Sequence, residues 1–169
     1  MKVIRGRVWV FGDNIDTDMI TPGQYLKLTP EETARHVLEG ADPYFPSKIR
    51  PGDIIVAGRN FGCGSSRESA PTSIKQAGIG SVVAVFFARI FFRNAINVGL
   101  PVVECPDAKK IQQGDVIEID LVKGVIHNIS LHETYKITSY PKIVMEILEN
   151  GGLVKLLERK LGVEGRKNV

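Results

Sequence analysis

The chain has 169 residues, of which 43% are hydrophobic and 24% charged, with a formal net charge of +3. These values describe an ordinary globular domain with enough residues to bury a core, and the charge excess is too small to argue for a nucleic-acid partner. The two cysteines, Cys63 and Cys105, fit neither a metal spacing nor a disulfide framework; no apolar run reaches membrane-spanning length and no signal-peptide core is present, so a cytoplasmic protein is expected.

Residues 3–11 are rich in β-branched and aromatic side chains, with Arg5 and Arg7 between apolar positions, and predict a strand. Gly12-Asp13-Asn14 predicts a turn. Residues 15–23 suit neither a buried strand nor a helix. Asp16, Thr17, Asp18 and Thr21 can bond their own backbone, which predicts an ordered loop; the same loop could supply a carboxylate to a site. Thr29-Pro30-Glu31-Glu32 predicts a helix start, with Thr29 as N-cap, Pro30 at the first helical position and Glu32 closing a capping box. Ala34, Val37 and Leu38 form its buried stripe and Gly40 its end. His36 lies beside that stripe and reads as a packed or surface histidine rather than a ligand. Residues 42–46 form an irregular link, and Pro51-Gly52-Asp53 turns the chain into residues 54–57, an apolar run that predicts a buried strand.

The stretch Gly58-Arg59-Asn60-Phe61-Gly62-Cys63-Gly64-Ser65-Ser66-Arg67-Glu68 follows this strand and precedes a helical pattern over residues 70–77, closed by Gly78. Glycines at a strand-to-helix turn let the backbone take positive φ and approach a ligand. A helix N-terminus adds unpaired N–H groups and partial positive charge, so the stretch could cradle a carboxylate or phosphate. It also fits a capping box with Ser65 as N-cap and Glu68 three residues on; the two readings are compatible. Pro71 disfavours a straight helix through this region, so the helix is expected to kink or to begin near Ser69. There is no Gly-Lys-Ser/Thr ending of a P-loop, no third glycine of a dinucleotide fingerprint and no Gly-x-Ser-x-Gly elbow.

Residues 81–86 predict the next strand and residues 88–98 a helix stopped by Gly99, with Ile90, Phe91, Ile96 and Val98 apolar. Arg89 and Arg93 share a face of it, either as a solvated surface or as an anion or subunit contact. Residues 101–105 predict a short strand, and residues 115–121 and 125–129 a hairpin. Pro141 opens a helix broken by Gly151-Gly152, residues 153–161 form a last one, and residues 162–169 read as a basic tail. Strands alternating with helices in the first two-thirds make this an α/β domain.

Three blocks in this order carry a resemblance: Asp16-Thr17-Asp18-Met19-Ile20, the stretch from Gly58 to Glu68 and Ala88-Arg89-Ile90-Phe91-Phe92-Arg93-Asn94-Ala95-Ile96-Asn97-Val98-Gly99, with a closing Gly151-Gly152-Leu153. Over residues 1–161 the chain resembles the small subunits of 3-isopropylmalate dehydratase and of the archaeal homoaconitase, which correspond to the swivelling C-terminal domain of aconitase. The resemblance implies a single-domain, swivel-like β/β/α fold. It implies a hydro-lyase subunit of leucine biosynthesis that interconverts 2-isopropylmalate and 3-isopropylmalate by dehydration and rehydration. It also implies a separate large subunit carrying a four-iron four-sulfur cluster, with no cofactor or metal on this chain. That cluster would act as Lewis acid on the leaving hydroxyl.

At matching positions, the resemblance implies that Ser65 is the base that removes the carbon-bound proton, with its alkoxide stabilised by the helix N-terminus, loop amides and Arg67. Ser66 and Arg67 bind substrate carboxylate, and Asp18 supports proton relay at the hydroxyl. Gly62 and Gly64 support the loop. Tyr25-Leu26-Lys27-Leu28 matches the substrate-selecting loop, so Leu26, Lys27 and Leu28 are candidate specificity residues. Homoaconitase-like members tend to carry arginine where Lys27 stands, and isopropylmalate-specific members an apolar residue. Lysine is cationic without arginine's fork, so homocitrate as substrate, dual specificity and shorter malates remain open. Cys63 stands where aconitases often have an acid and Phe86 where many relatives have serine; Cys63 reads as a small buried residue. A reading from another class is a non-catalytic module that holds a carboxylate or phosphate at the same loop.

Overall fold

The computed structural model describes residues 3–162; residues 163–169, most of the expected basic tail, lie outside the described residues. The architecture turns on β1 (Ile4–Val10). Its C-terminal half pairs parallel with β2 (Ile54–Ala57), Val8 beside Ile54 and Val10 beside Val56. Its N-terminal half pairs antiparallel with β5 (Val116–Asp120), Ile4 opposite Ile119 and Arg7 opposite Val116. On the parallel side β3 (Ser81–Ala84) and β4 (Val102–Glu104) follow; on the antiparallel side β6 (Val125–Asn128) and β7 (Glu133–Lys136). One seven-stranded sheet results, in the order β4-β3-β2-β1-β5-β6-β7. Its two halves follow from their residues. β2 and β3 are buried at every position, as parallel strands covered on both faces are. β5 and β6 alternate buried and half-buried positions, the pattern of a sheet packed on one face.

Among the described residues seven α-helices complete the domain: α1 (Thr17–Ile20), α2 (Pro30–Ala34), α3 (Phe45–Lys48), α4 (Ser69–Gln76), α5 (Arg89–Val98), α6 (Lys142–Glu149) and α7 (Leu153–Leu161). α4 packs on α1, α2 and α5, and α5 packs on α6 and α7. The parallel strands all run toward the same edge. The segment after β1, the glycine-rich stretch after β2 and the lead into α5 after β3 therefore gather there, where open α/β sheets place their ligands. Among the described residues no helix is long and apolar enough to cross a membrane.

Several local expectations hold in detail. Thr29 caps α2: its hydroxyl accepts from Glu32 N–H while Glu32 accepts from Thr29 N–H. Gly99 ends α5 in the left-handed conformation at φ 78°, as a terminal glycine should. His36 is packed, stacked on Tyr25 at 3.7 Å between centroids and bonded to Glu39 at 2.6 Å.

Four differ. α2 stops at Ala34 instead of running to Gly40, because the N–H of the buried Leu38 is taken by Ile20 O at 2.9 Å and Leu38 turns to φ 56°. Residues 17–20, expected as loop, form one helical turn, since the Asp16 carboxylate accepts from Met19 N–H at 2.8 Å and caps it. Ser65 caps nothing. α4 begins at Ser69, the start that Pro71 predicts, with Glu68 as its N-cap and no side-chain cap bond. A start at Ser65 would place Pro71 in the second turn, where its missing N–H and its ring break the helix; a start at Ser69 puts it among amides that have no partner in any case. β7 was not expected: only Tyr135 of its four residues is buried, so it carries almost no alternation.

Candidate functional site

The site begins as an irregular continuation of the β1–β2 pairing. Phe11 N–H donates to Val56 O, Gly58 N–H to Gly12 O, Asn14 N–H to Arg59 O, Gly62 N–H to Ile15 O at 2.7 Å and Thr17 N–H to Cys63 O at 2.8 Å. The two segments thus run side by side for a further six residues or so beyond the sheet. Side chains lock the same seam. Asp13 Oδ1 accepts from Arg59 N–H at 2.7 Å, and a Cβ on Gly58 would lie 1.9 Å from that oxygen. The outer side of the glycine-rich loop rests on an aromatic cluster: Phe61 meets Phe91 edge-on at 5.2 Å and Phe87 at 5.9 Å. Gly62, at φ 82°, sits so close to this cluster that a Cβ there would be 2.2 Å from Phe91 Cγ.

This seam brings together side chains almost fifty positions apart in sequence. The Ser65 hydroxyl lies 3.1 Å from Thr17 Oγ1. Gly64, at φ 98°, makes room for that approach, its absent Cβ falling 3.2 Å from Thr17 Oγ1. Arg67 Nη1 donates to Asp18 Oδ1 at 2.7 Å and to Thr21 O at 3.0 Å. Thr21 in turn is tied to α4 through its hydroxyl, 2.9 Å from Ser73 Oγ in the interior. The Arg67 side chain is 25% exposed and that of Asp18 69%, so the guanidinium is held while the carboxylate still faces solvent. The Arg67 hydrogen bond, and then its charge, hold the Asp18 carboxyl below the ordinary carboxylate range against some desolvation, with the Gly23 amide adding to the effect. Asp18 is therefore ionised at neutral pH, whereas Asp16 is spent on capping α1.

Ser65 and Ser66 are exposed at the rim. Because α4 begins at Ser69, the serines and Arg67 lie before its first turn and not in it. Ser65 therefore does not sit at the helix N-terminus that was expected, with loop amides and Arg67, to stabilise it; its hydroxyl faces Thr17 instead. The loop of Leu26, Lys27 and Leu28 lies next to it. A 3-10 turn over Gly23–Tyr25 leads in, fixed by Thr33 Oγ1 donating to Tyr25 O and by Tyr25 Oη donating to Glu39. Leu26 and Leu28, about 40% exposed, line a shallow pocket with Pro30, Thr33, Glu68 and Thr72. Lys27 is exposed outside that lining. Thr17 is buried at this seam, a placement that no periodicity in the sequence marks, because its partner Ser65 is so distant along the chain.

The donor set of this chain does not fit an iron–sulfur cluster, which takes several thiolates. Cys63 is half-buried and Cys105 buried. Burial pushes both thiols up, with Asp16 adding at Cys63, the reverse of what a thiolate ligand needs. Among the described residues no three of His, Cys, Asp or Glu stand where they could hold a metal ion.

A mixed sheet with both segments zipped at its carboxyl edge defines an aconitase-type C-terminal domain, and the profile of the family described as "Aconitase C-terminal domain" matches residues 12–108. The 3-isopropylmalate dehydratase small subunit of Nautilia profundicola is 54% identical over 95% of this chain and 98% of its own length. The isopropylmalate/citramalate isomerase small subunit of Methanocaldococcus jannaschii is 55% identical over 95% of this chain and 96% of its own. A crystal structure of 3-isopropylmalate dehydratase from M. jannaschii superposes with a TM-score of 0.92 at 47% identity, covering 99% of this chain and all of that one. The chain belongs to the 3-isopropylmalate dehydratase small-subunit family, within the aconitase C-terminal domain family.

Proposed function

We propose that this protein is the cytoplasmic small subunit of a hydro-lyase that interconverts 2-isopropylmalate and 3-isopropylmalate, completed by a large subunit that holds the iron–sulfur cluster. The observation that carries the reading is the seam itself, which places a hydroxyl, Ser65, and an ion-paired guanidinium, Arg67, on one rim. Dehydration removes a proton from one carbon and hydroxide, as water, from its neighbour, leaving an alkene diacid. Ser65 acts as its alkoxide: Oγ takes the carbon-bound proton to become the hydroxyl and gives it back to carbon in the reverse direction. Arg67 has committed Nη1 to Asp18 and Thr21, and its remaining nitrogens offer a carboxylate the planar fork that suits it; Ser66 adds a hydroxyl beside it. Asp18, held ionised, is ready to accept a proton in the hydration direction, and must carry that proton to serve the dehydration direction. That fits removal of a proton from the incoming water during rehydration, and its return in the reverse direction. Leu26 and Leu28 face the apolar branch of the substrate.

A wider substrate range has two observations in its favour: the citramalate in the name of the M. jannaschii relative and the cationic Lys27 on the selecting loop, which suits the extra carboxylate of homocitrate. The test is anaerobic reconstitution with the cognate large subunit and assay of 2-isopropylmaleate hydration. Turnover is expected in the complex and not in either subunit alone, with a loss of about 100-fold or more for Ser65→Ala, as for removal of a general base. Full turnover by Ser65→Ala would overturn the assignment of the base. Failure to bind any cluster-bearing subunit would return the chain to a stand-alone anion-binding module.

A further inference from the structure

We propose that Thr17 is a positioning residue for Ser65, fixing its rotamer and donating the hydrogen bond that supports its deprotonated form; this rests on the reading of Ser65 as the base. Thr17 is 3% exposed, although it lies between an exposed Asp18 and the site rim. Its backbone is pinned at both groups, the N–H on Cys63 O at 2.8 Å and the C=O by Thr21 N–H at 2.9 Å. Being β-branched, it has few rotamers open to it in a helix. Its hydroxyl lies 3.1 Å from Ser65 Oγ, so the buried, rigid partner sets the position of the exposed one.

The direction of this bond follows from the chemistry. Between two neutral hydroxyls either can donate. Once Ser65 has given up its proton it can only accept, and the Thr17 O–H can then only donate toward it. The interaction therefore strengthens as Ser65 becomes the base, since hydrogen bonds to a charged partner are stronger than neutral ones. Gly64 serves the same contact. Its φ of 98° and missing Cβ keep the chain out of the 3.2 Å gap over Thr17 Oγ1. Thr17 does not touch the pocket lined by Leu26 and Leu28, and Arg67 reaches Asp18 and Thr21 without it. Substrate binding and base strength are thus separable.

The experiment uses the reconstituted complex with Thr17→Val, Thr17→Ser and Ser65→Ala, assayed for 2-isopropylmaleate hydration. Thr17→Val is near-isosteric and removes only the hydroxyl. It should lower kcat about 10- to 100-fold, the rate equivalent of one hydrogen bond to a charged group, with KM within about twofold of wild type. Any limb of the kcat profile on which activity rises with pH should move to higher pH, because loss of a donor disfavours the ionised base. Thr17→Ser, which keeps the hydroxyl, should recover most of kcat. The inference is overturned if Thr17→Val keeps wild-type kcat, if its loss is in KM alone, or if Thr17→Ser is as slow as Thr17→Val. Should Thr17→Val fail to assemble, Thr17→Ala against Thr17→Ser gives the same comparison. Ser65→Ala separates the two levels: if it is inactive while Thr17→Val is normal, only the Thr17 role falls, and if it is fully active, the base assignment falls and the Thr17 role with it.

Discussion

Replacing Gly62 by alanine tests whether the aromatic cluster holds the glycine-rich loop in place. The new Cβ would lie 2.2 Å from Phe91 Cγ, 2.4 Å from its Cβ and 2.6 Å from Cδ2. Phe91 is 2% exposed and packed edge-on to Phe61 at 5.2 Å and stacked on Phe87 at 6.0 Å, so the ring has no free direction in which to yield. Two costs add. A non-glycine residue at φ 82° loses about 1–2 kcal/mol to Cβ–carbonyl crowding. Overpacking a filled interior adds about 1–3 kcal/mol. The expected destabilisation is therefore about 2–5 kcal/mol, read as a lower urea midpoint at unchanged m for the isolated subunit. Its cause can be checked with Phe91→Ala, which removes the Cγ and Cδ2 atoms that the new methyl would meet. If the clash is with the ring, the double variant should be more stable than the sum of the single losses predicts, by about 1 kcal/mol or more. Additivity within about 0.5 kcal/mol would refute the packing argument, and a Gly62→Ala subunit as stable as wild type would refute both terms. Turnover in the complex should fall with the same substitution, because Gly62 N–H is the group that joins the loop to Ile15 O.

Arg67→Lys in the complex should raise KM by about 10- to 100-fold, since an ammonium keeps the charge and loses the fork that holds Asp18, Thr21 O and a carboxylate at once; an unchanged KM would remove Arg67 from the substrate site. Lys27→Val should leave 2-isopropylmaleate hydration close to wild type and abolish any hydration of cis-homoaconitate, measured as the ratio of kcat/KM values; loss of the isopropylmaleate activity instead would make Lys27 part of the principal site. The pH dependence of stability should carry a signature of Tyr135. Its hydroxyl is pushed up from 10.0 to about 12, first by burial and then by its hydrogen bond to Glu133. The folded state therefore keeps this proton after the unfolded chain has lost it. The contribution is complete below pH 10 and is lost as pH rises through about 12, to an extent of about 3 kcal/mol. In Tyr135→Phe that alkaline loss should be shallower in urea titrations at successive pH values, and parallel curves for the two proteins would refute it.

The parts of this fold that could be read from the chain are those set by neighbours in sequence. Thr29, Pro30 and Glu32 make a cap within four positions; Ile54–Ala57 is buried on both faces and is written in residues of one kind. Ser65, Ser66, Arg67 and Asp18 were reachable because their motifs are specific to a family. Their pairing was not. Nothing local says that Arg67 will choose Asp18, or that Thr17 will turn inward to Ser65, because both depend on two loops continuing the β1–β2 ladder beyond the strands. The same limit explains Leu38, whose left-handed backbone is imposed by Ile20 O, and β7, where one buried tyrosine leaves no period to detect. The start of α4 was legible in part. Ser65 and Glu68 spell a capping box, and Pro71 argues against it; the proline wins, since a missing cap costs about 1 kcal/mol and an interior proline about 3.

The charge balance of the site says what the other half must bring. Asp18 neutralises Arg67, and Glu68 stands exposed beside the same loop, so the rim offers a guanidinium already carrying one carboxylate. A substrate with two carboxylates would add negative charge to a surface with no net positive charge to meet it. In open solvent such an exposed pair is worth little. Covered by a second subunit, the local dielectric falls and every one of these interactions grows, repulsive ones included. A covering surface that brought only shape would therefore trap an uncompensated dianion. On the proposed reading the second carboxylate needs a further cation, from the partner or from the exposed Lys27, and the isolated small subunit should show at most weak affinity for the substrate. On the proposed reading this chain brings the hydroxyl of Ser65 and the guanidinium of Arg67 to one rim, and what closes the site is charge as much as cover.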